Sequence, residues 1–143
     1  MPALKMFAAV AAVTMLTTAN LPAFAGVVED RKANFKASNQ SMRLMGAAMG
    51  SGDFDVITTE AAKIAAWAEV MPDYFPEGSG AGTSARAEIW TDFIGFKDAA
   101  ETHYNAAQDL ITVAAKQDAE STGEALQALG ATCKACHQKF KSW

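Results

Sequence analysis

The sequence predicts an all-α protein built as an antiparallel, up-down-up-down four-helix bundle. Three observations carry that expectation. Apolar residues recur at three- and four-residue intervals in four separate stretches. No stretch shows the two-residue alternation of a half-buried strand. Glycines, prolines and short polar clusters punctuate the chain between the stretches.

The first helix is expected from about Val27 to Met49, with Val28, Arg31, Phe35, Met42, Met45 and Met49 on one face and Gly50-Ser51-Gly52 as its end. Asp53 has the short carboxylate of an N-cap for a second helix, from about Phe54 to Val70. Its buried stripe would use Ile57, Ala61, Ile64 and Ala68, with Trp67 near the edge. Met71 to Gly82 holds two prolines and three glycines and reads as a crossover loop. The third helix should start near Thr83 or Ser84 and reach Lys116, turning Ile89, Phe93, Phe96, Ala100, Ala107, Ile111 and Ala114 inward. A fourth, beginning near Asp118 to Ser121, carries Leu126, Leu129, Cys133, His137 and Phe140 on one stripe. Mostly short connections make neighbouring helices antiparallel.

The N-terminus has the layout of a secretory signal. Lys5 supplies the charge, Met6 to Leu16 an apolar run too short to span a bilayer, and Ala23-Phe24-Ala25 a small-residue cleavage site. Residues 1–25 are therefore expected to be removed, leaving 26–143 as a single exported domain in the periplasm. Without Lys5 the basic count falls from 12 to 11 against 16 acids. Such an acidic chain lacks the basic stripe that nucleic-acid binding requires, and nothing after the signal resembles a membrane span.

Both cysteines of the chain lie in Cys133-Lys134-Ala135-Cys136-His137, the attachment motif of a c-type haem. The spacing follows from the chemistry. Two thiols add across the two vinyl groups, and the adjacent imidazole reaches the iron from one face. On a helix the three side chains fall at i, i+3 and i+4 and project together. A thioredoxin-like dithiol, a plain disulfide and a structural zinc site are the alternatives. The first normally follows a strand, and the last needs four ligands where only His103 is left to help. His103 itself reads as a polar surface histidine. Most inward positions are alanine or aliphatic, and small side chains leave room for a porphyrin.

Over nearly its whole mature length the chain resembles the bacterial cytochrome c′ family. The likeness rests on the bundle pattern with Cys133-Lys134-Ala135-Cys136-His137 near the C-terminus, on Glu29-Asp30-Arg31-Lys32-Ala33-Asn34-Phe35-Lys36, and on Leu129-Gly130-Ala131-Thr132 leading into the motif. The resemblance implies one covalent haem c, with Cys133 and Cys136 as thioether partners and His137 as proximal iron ligand. It places Phe35 over the distal face as a non-coordinating ring and Arg31 beside a haem propionate. Lys141 falls where the family usually has an arginine at the haem edge, and lysine lacks the guanidinium fork. A homodimer through the first two helices is implied, for which Ala47, Ala48 and Ile64 offer small or apolar outward positions.

Iron with one imidazole and a phenyl ring opposite is expected to be five-coordinate and high-spin. Its apolar distal face suits nitric oxide and carbon monoxide better than oxygen, which needs a hydrogen-bond donor. One-electron transfer to a redox partner is expected alongside, and enzymatic turnover is not, because peroxide chemistry needs a distal acid–base group. The alternative is a low-spin electron carrier in which Met42, Met45 or Met49 supplies a sixth ligand. Met42 lies roughly 10 Å along the helix from Phe35, and methionine stripes are commonly core.

Overall fold

The computed structural model describes residues 24–143, so all but the end of the expected signal lies outside the described residues. Among the described residues four long helices form the expected four-helix bundle, α1 (Ala25–Ser51), α2 (Phe54–Val70), α4 (Phe93–Ala114) and α5 (Ala119–Phe140), with a one-turn α3 (Glu88–Thr91) leading into α4. Packing runs α1 on α2, α2 on α4 and α4 on α5. No helix among the described residues is long and apolar enough to cross a membrane.

The helix ends follow local chemistry. α1 continues through Gly50 and Ser51 and stops at Gly52, whose φ of +70° suits a residue without Cβ. The Asp53 carboxylate accepts the Val56 N–H at 3.1 Å, and α2 begins where expected. Asp118 caps α5 in the same way, accepting from Ser121 N at 2.7 Å. The third helix departs from expectation. The backbone turns at Asp92 (φ −130°, ψ 57°), and its carboxylate caps a new helix by accepting from Gly95 N at 3.1 Å. The expected single element is therefore α3 followed by α4, and it starts later than Thr83.

Two apolar clusters make the core. One joins Met45, Ile57, Ala61, Ile64, Ala107, Leu110 and Leu129. Leu and Ile side chains buried this completely stabilise the fold by about 1.5–3 kcal/mol each. The other is aromatic: Trp67, Met71, Phe75, Ile89, Phe96, Ala100 and Phe140, with Phe35 and Cys136 packed against it. Three sequence expectations change here. Trp67 is 6% exposed and belongs to the aromatic core. Ala48 points into the bundle, and Ile64 keeps the place on the buried stripe of α2 that its spacing predicted, so both are closed to a partner and Ala47 alone of the three is outward. Phe93 is exposed, because the break at Asp92 rotates it off the inward face.

The crossover segment is ordered by specific contacts. A 3-10 turn, Met71–Tyr74, brings Phe75 inward. Trp90 Nε1 donates to Phe75 O at 2.9 Å and Pro76 O at 3.1 Å. Gly80 lies so close to the Trp90 ring that a Cβ there would stand 2.7 Å from it. The segment then pairs with the chain's end: Ala85 and Lys141 form an antiparallel bridge, Arg86 N donates to Phe140 O at 3.0 Å, and Ser142 N donates to Ser84 O at 2.8 Å.

Candidate functional site

Cys133, Cys136 and His137 occupy the last two turns of α5, and all three are partly buried. Both thiols are free. Burial raises both above the usual cysteine range, Cys136 to about 11 with the neighbouring Cys133 adding to the effect. They are therefore thiols at neutral pH. Burial, and secondarily the charge of Lys141, lowers the His137 pKa, so the imidazole is neutral and free to ligate iron. Its ring meets Trp143 edge-on at 5.9 Å, and Lys141 Nζ lies 3.9 Å above the Trp143 ring. Lys141 thus sits beside His137 on the C-terminal segment.

A groove of about 400 Å³ runs between α4 and α5 next to Cys136, floored by Gly95, Ala99, Ala131 and Ala135 and closed by Phe140. Small residues on both helices create it. Across the aromatic cluster stands Phe35, partly buried, edge-on to Trp67 at 5.4 Å and to Phe75 at 6.4 Å. The fold therefore brings Phe35 and Cys136, a hundred residues apart, into one apolar cluster.

Arg31 is 3% exposed. Its guanidinium donates to Tyr74 O at 3.3 Å, Ser79 Oγ at 3.2 Å and Ser79 O at 3.1 Å, and lies 4.3 Å above the Phe75 ring. No carboxylate pairs with it among the described residues, and burial lowers its pKa. Arg31 thus fastens the crossover segment while keeping an unneutralised positive charge inside the protein. Trp67 Nε1 nearby is buried with no hydrogen-bond partner among the described residues.

His103 corrects the surface reading. It is partly buried between α4 and α5, with Nδ1 2.7 Å from Thr132 Oγ1. The Thr132 hydroxyl donates to Leu129 O at 2.7 Å, so its oxygen accepts and His103 carries its proton on Nδ1. Burial, and secondarily the repulsion that a second imidazolium would meet from His137, lowers the His103 pKa. No three His, Cys, Asp or Glu side chains converge on a metal-ion site among the described residues, so the zinc alternative has no ligand set. Sequence reasoning missed Trp67, Tyr74, Phe75 and Ser79. For Trp67 a signal existed: Glu60, Ile64, Trp67 and Met71 form a second stripe at helical spacing, and all are buried.

These residues fit a haem: two protonated thiols, a neutral imidazole, a groove lined by small residues, and two buried donors lacking an anionic acceptor. The comparisons agree. A family model described as Cytochrome C' matches residues 26–141. The cytochrome c' of Rhodospirillum rubrum is 40% identical over 99% of each chain. The cytochrome c prime of Shewanella frigidimarina is 29% identical, with a TM-score of 0.77 over 87% of this chain and 100% of that one. Another solved cytochrome c', with an unusual ligand-controlled dimer dissociation, is 26% identical with a TM-score of 0.75, covering 82% of this chain and 95% of that chain. The chain therefore belongs to the cytochrome c′ family, whose members carry one covalently bound haem c.

Proposed function

We propose that the protein is a periplasmic, high-spin haem protein in which His137 is the only protein ligand to iron. Cys133 and Cys136 hold the haem by thioethers. Nitric oxide and carbon monoxide bind on the opposite, apolar face, beneath Phe35. The single observation that carries this reading is the setting of Phe35: a ring with no atom able to ligate iron, packed edge-on to Trp67 and Phe75 in the largely aromatic cluster that also holds Cys136. One-electron transfer accompanies ligand binding, and the protein is not a catalyst. The family match beginning at residue 26 supports removal of residues 1–25. The ligand-controlled dimer of a solved relative supports a homodimer whose assembly responds to ligand, with Leu44 and Ala47 outward on α1 for the seam. Ligation by Met42, Met45 or Met49 is disfavoured because all three pack in the cluster away from Phe35, with the Met42 methyl against Gly130.

Absorption and spin-state spectra of the ferric and ferrous protein, with and without each gas, test the reading. A high-spin spectrum is expected. An iron–methionine charge-transfer band, or a stable oxygen complex of the reduced protein, would overturn it. Phe35→Ala should speed carbon monoxide binding about tenfold, ~1.4 kcal/mol of barrier, because edge contacts with Trp67 and Phe75 worth about 1 kcal/mol each hold the ring in place. Unchanged rates would remove Phe35 from the gate.

A further inference from the structure

Two of the three indole N–H groups are accounted for. Trp90 donates to two carbonyls of the crossover segment, and Trp143 is 90% exposed to water. Trp67 is the exception: it is 6% exposed, and Nε1 has no acceptor among the described residues. A buried donor left without a partner destabilises a fold by about 1–3 kcal/mol. A standing acceptor therefore belongs to the finished site.

Its surroundings say what that acceptor is. The Trp67 ring packs edge-on to Tyr74 at 5.1 Å and to Phe35 at 5.4 Å. The Tyr74 carbonyl accepts from Arg31, whose guanidinium covers Phe75. Trp67 and Arg31 thus both pack on the Tyr74–Phe75 segment, one through the Tyr74 ring and the other through the Tyr74 carbonyl and the Phe75 ring. The guanidinium charge calls for an anion and the indole N–H for an acceptor, and one carboxylate meets both needs. A haem offers two carboxylates as its only anionic groups. A gas on the iron comes and goes, and so cannot be the standing acceptor.

We propose that Trp67 Nε1–H donates to a haem carboxylate, on the same edge that Arg31 neutralises. Trp67 is then a positioning residue. It fixes the rotation of the haem in the bundle and draws the carboxylate's charge away from the iron. The inference rests on the haem assignment and is independent of whether the iron is five-coordinate.

Trp67→Phe keeps a ring in place and removes the donor. The haem absorption of the purified variant first shows that attachment has occurred, which separates this test from the haem assignment. The midpoint potential is then expected to shift down, because an untempered carboxylate favours ferric iron. The C–O stretch of the carbon monoxide adduct should stay where it is in the unaltered protein. An unchanged potential would overturn the proposal, and so would a displaced C–O stretch, which would put the N–H on the bound gas. If Trp67→Phe does not mature, a crystal structure of the unaltered, haem-loaded protein decides. Nε1 should lie within about 3.2 Å of a carboxylate oxygen, and any other acceptor, or none, refutes the assignment.

Discussion

Replacing Arg31 with methionine keeps most of the side chain's length and removes its charge and all three hydrogen bonds to the crossover segment. Two opposing effects set the outcome. The bonds to Tyr74 O, Ser79 O and Ser79 Oγ come from a charged donor and each contribute about 1.5 kcal/mol, and the stacking over Phe75 adds roughly 1–2 kcal/mol at a buried site. Against them stands the desolvation of a guanidinium without a carboxylate partner, several kcal/mol that methionine does not bear. The variant also strands the Ser79 polar atoms, since Ser79 is itself 2% exposed. The net expectation for Arg31→Met is a loss of about 2 kcal/mol. For a domain of this size that lowers the thermal midpoint by roughly 8 °C. Urea unfolding followed by circular dichroism, at equal haem content, measures it. Hydrogen exchange should quicken across residues 71–82 before the bundle opens. A methionine variant as stable as the parent, with unaltered exchange in that segment, would show that the guanidinium does not fasten the crossover.

Two further changes test the polar contacts inside the bundle. Glu60 accepts from Lys63 at 2.6 Å and from Ser41 at 2.7 Å, and these bonds hold its pKa below the usual glutamate range, Lys63 first. A depressed folded pKa stabilises the protein above the unfolded value, about 4.3, and that contribution is lost as pH falls through the folded pKa. Glu60→Gln should therefore flatten the decline in stability below about pH 4.3 in acid titrations of unfolding, and an unchanged acid limb would refute the linkage. Thr132→Val removes the acceptor of the His103 Nδ1–H between α4 and α5. A loss of about 1 kcal/mol is expected in urea unfolding, and none would mean that the contact does not bind the two helices.

Much of this architecture is written locally. Asp53, followed by an apolar stripe, determines where α2 begins and ends. The haem motif is equally local, because thiol and imidazole chemistry fixes its spacing. What could not be read is tertiary. Asp92 looks like any polar residue on a helix surface, and it acts as a cap only because the chain turns there to meet α5. Trp67 is buried because Phe35 and Tyr74 arrive from other elements. Ala48 reads equally well as outward until the rotation of α1 on α2 is known. The role of Arg31 in the crossover depended on Ser79, 48 residues away in a loop without periodicity.

The antiparallel bridge between Ala85 and Lys141 bears on the entropy of ligation. The final turn of an exposed helix ordinarily frays, since its carbonyls lack internal partners. Here the Phe140 carbonyl accepts from Arg86 N, and the Gln138 carbonyl accepts from the Arg86 guanidinium at 3.4 Å. His137 sits in that turn. An imidazole on a fraying end would have to be ordered each time it met the iron, whereas one clamped by a distant segment is ordered in advance. Residues 84–86 thereby restrict the motion of His137, the proposed iron ligand, and a change confined to that loop would reach it through the hydrogen bonds that hold the last turn of α5.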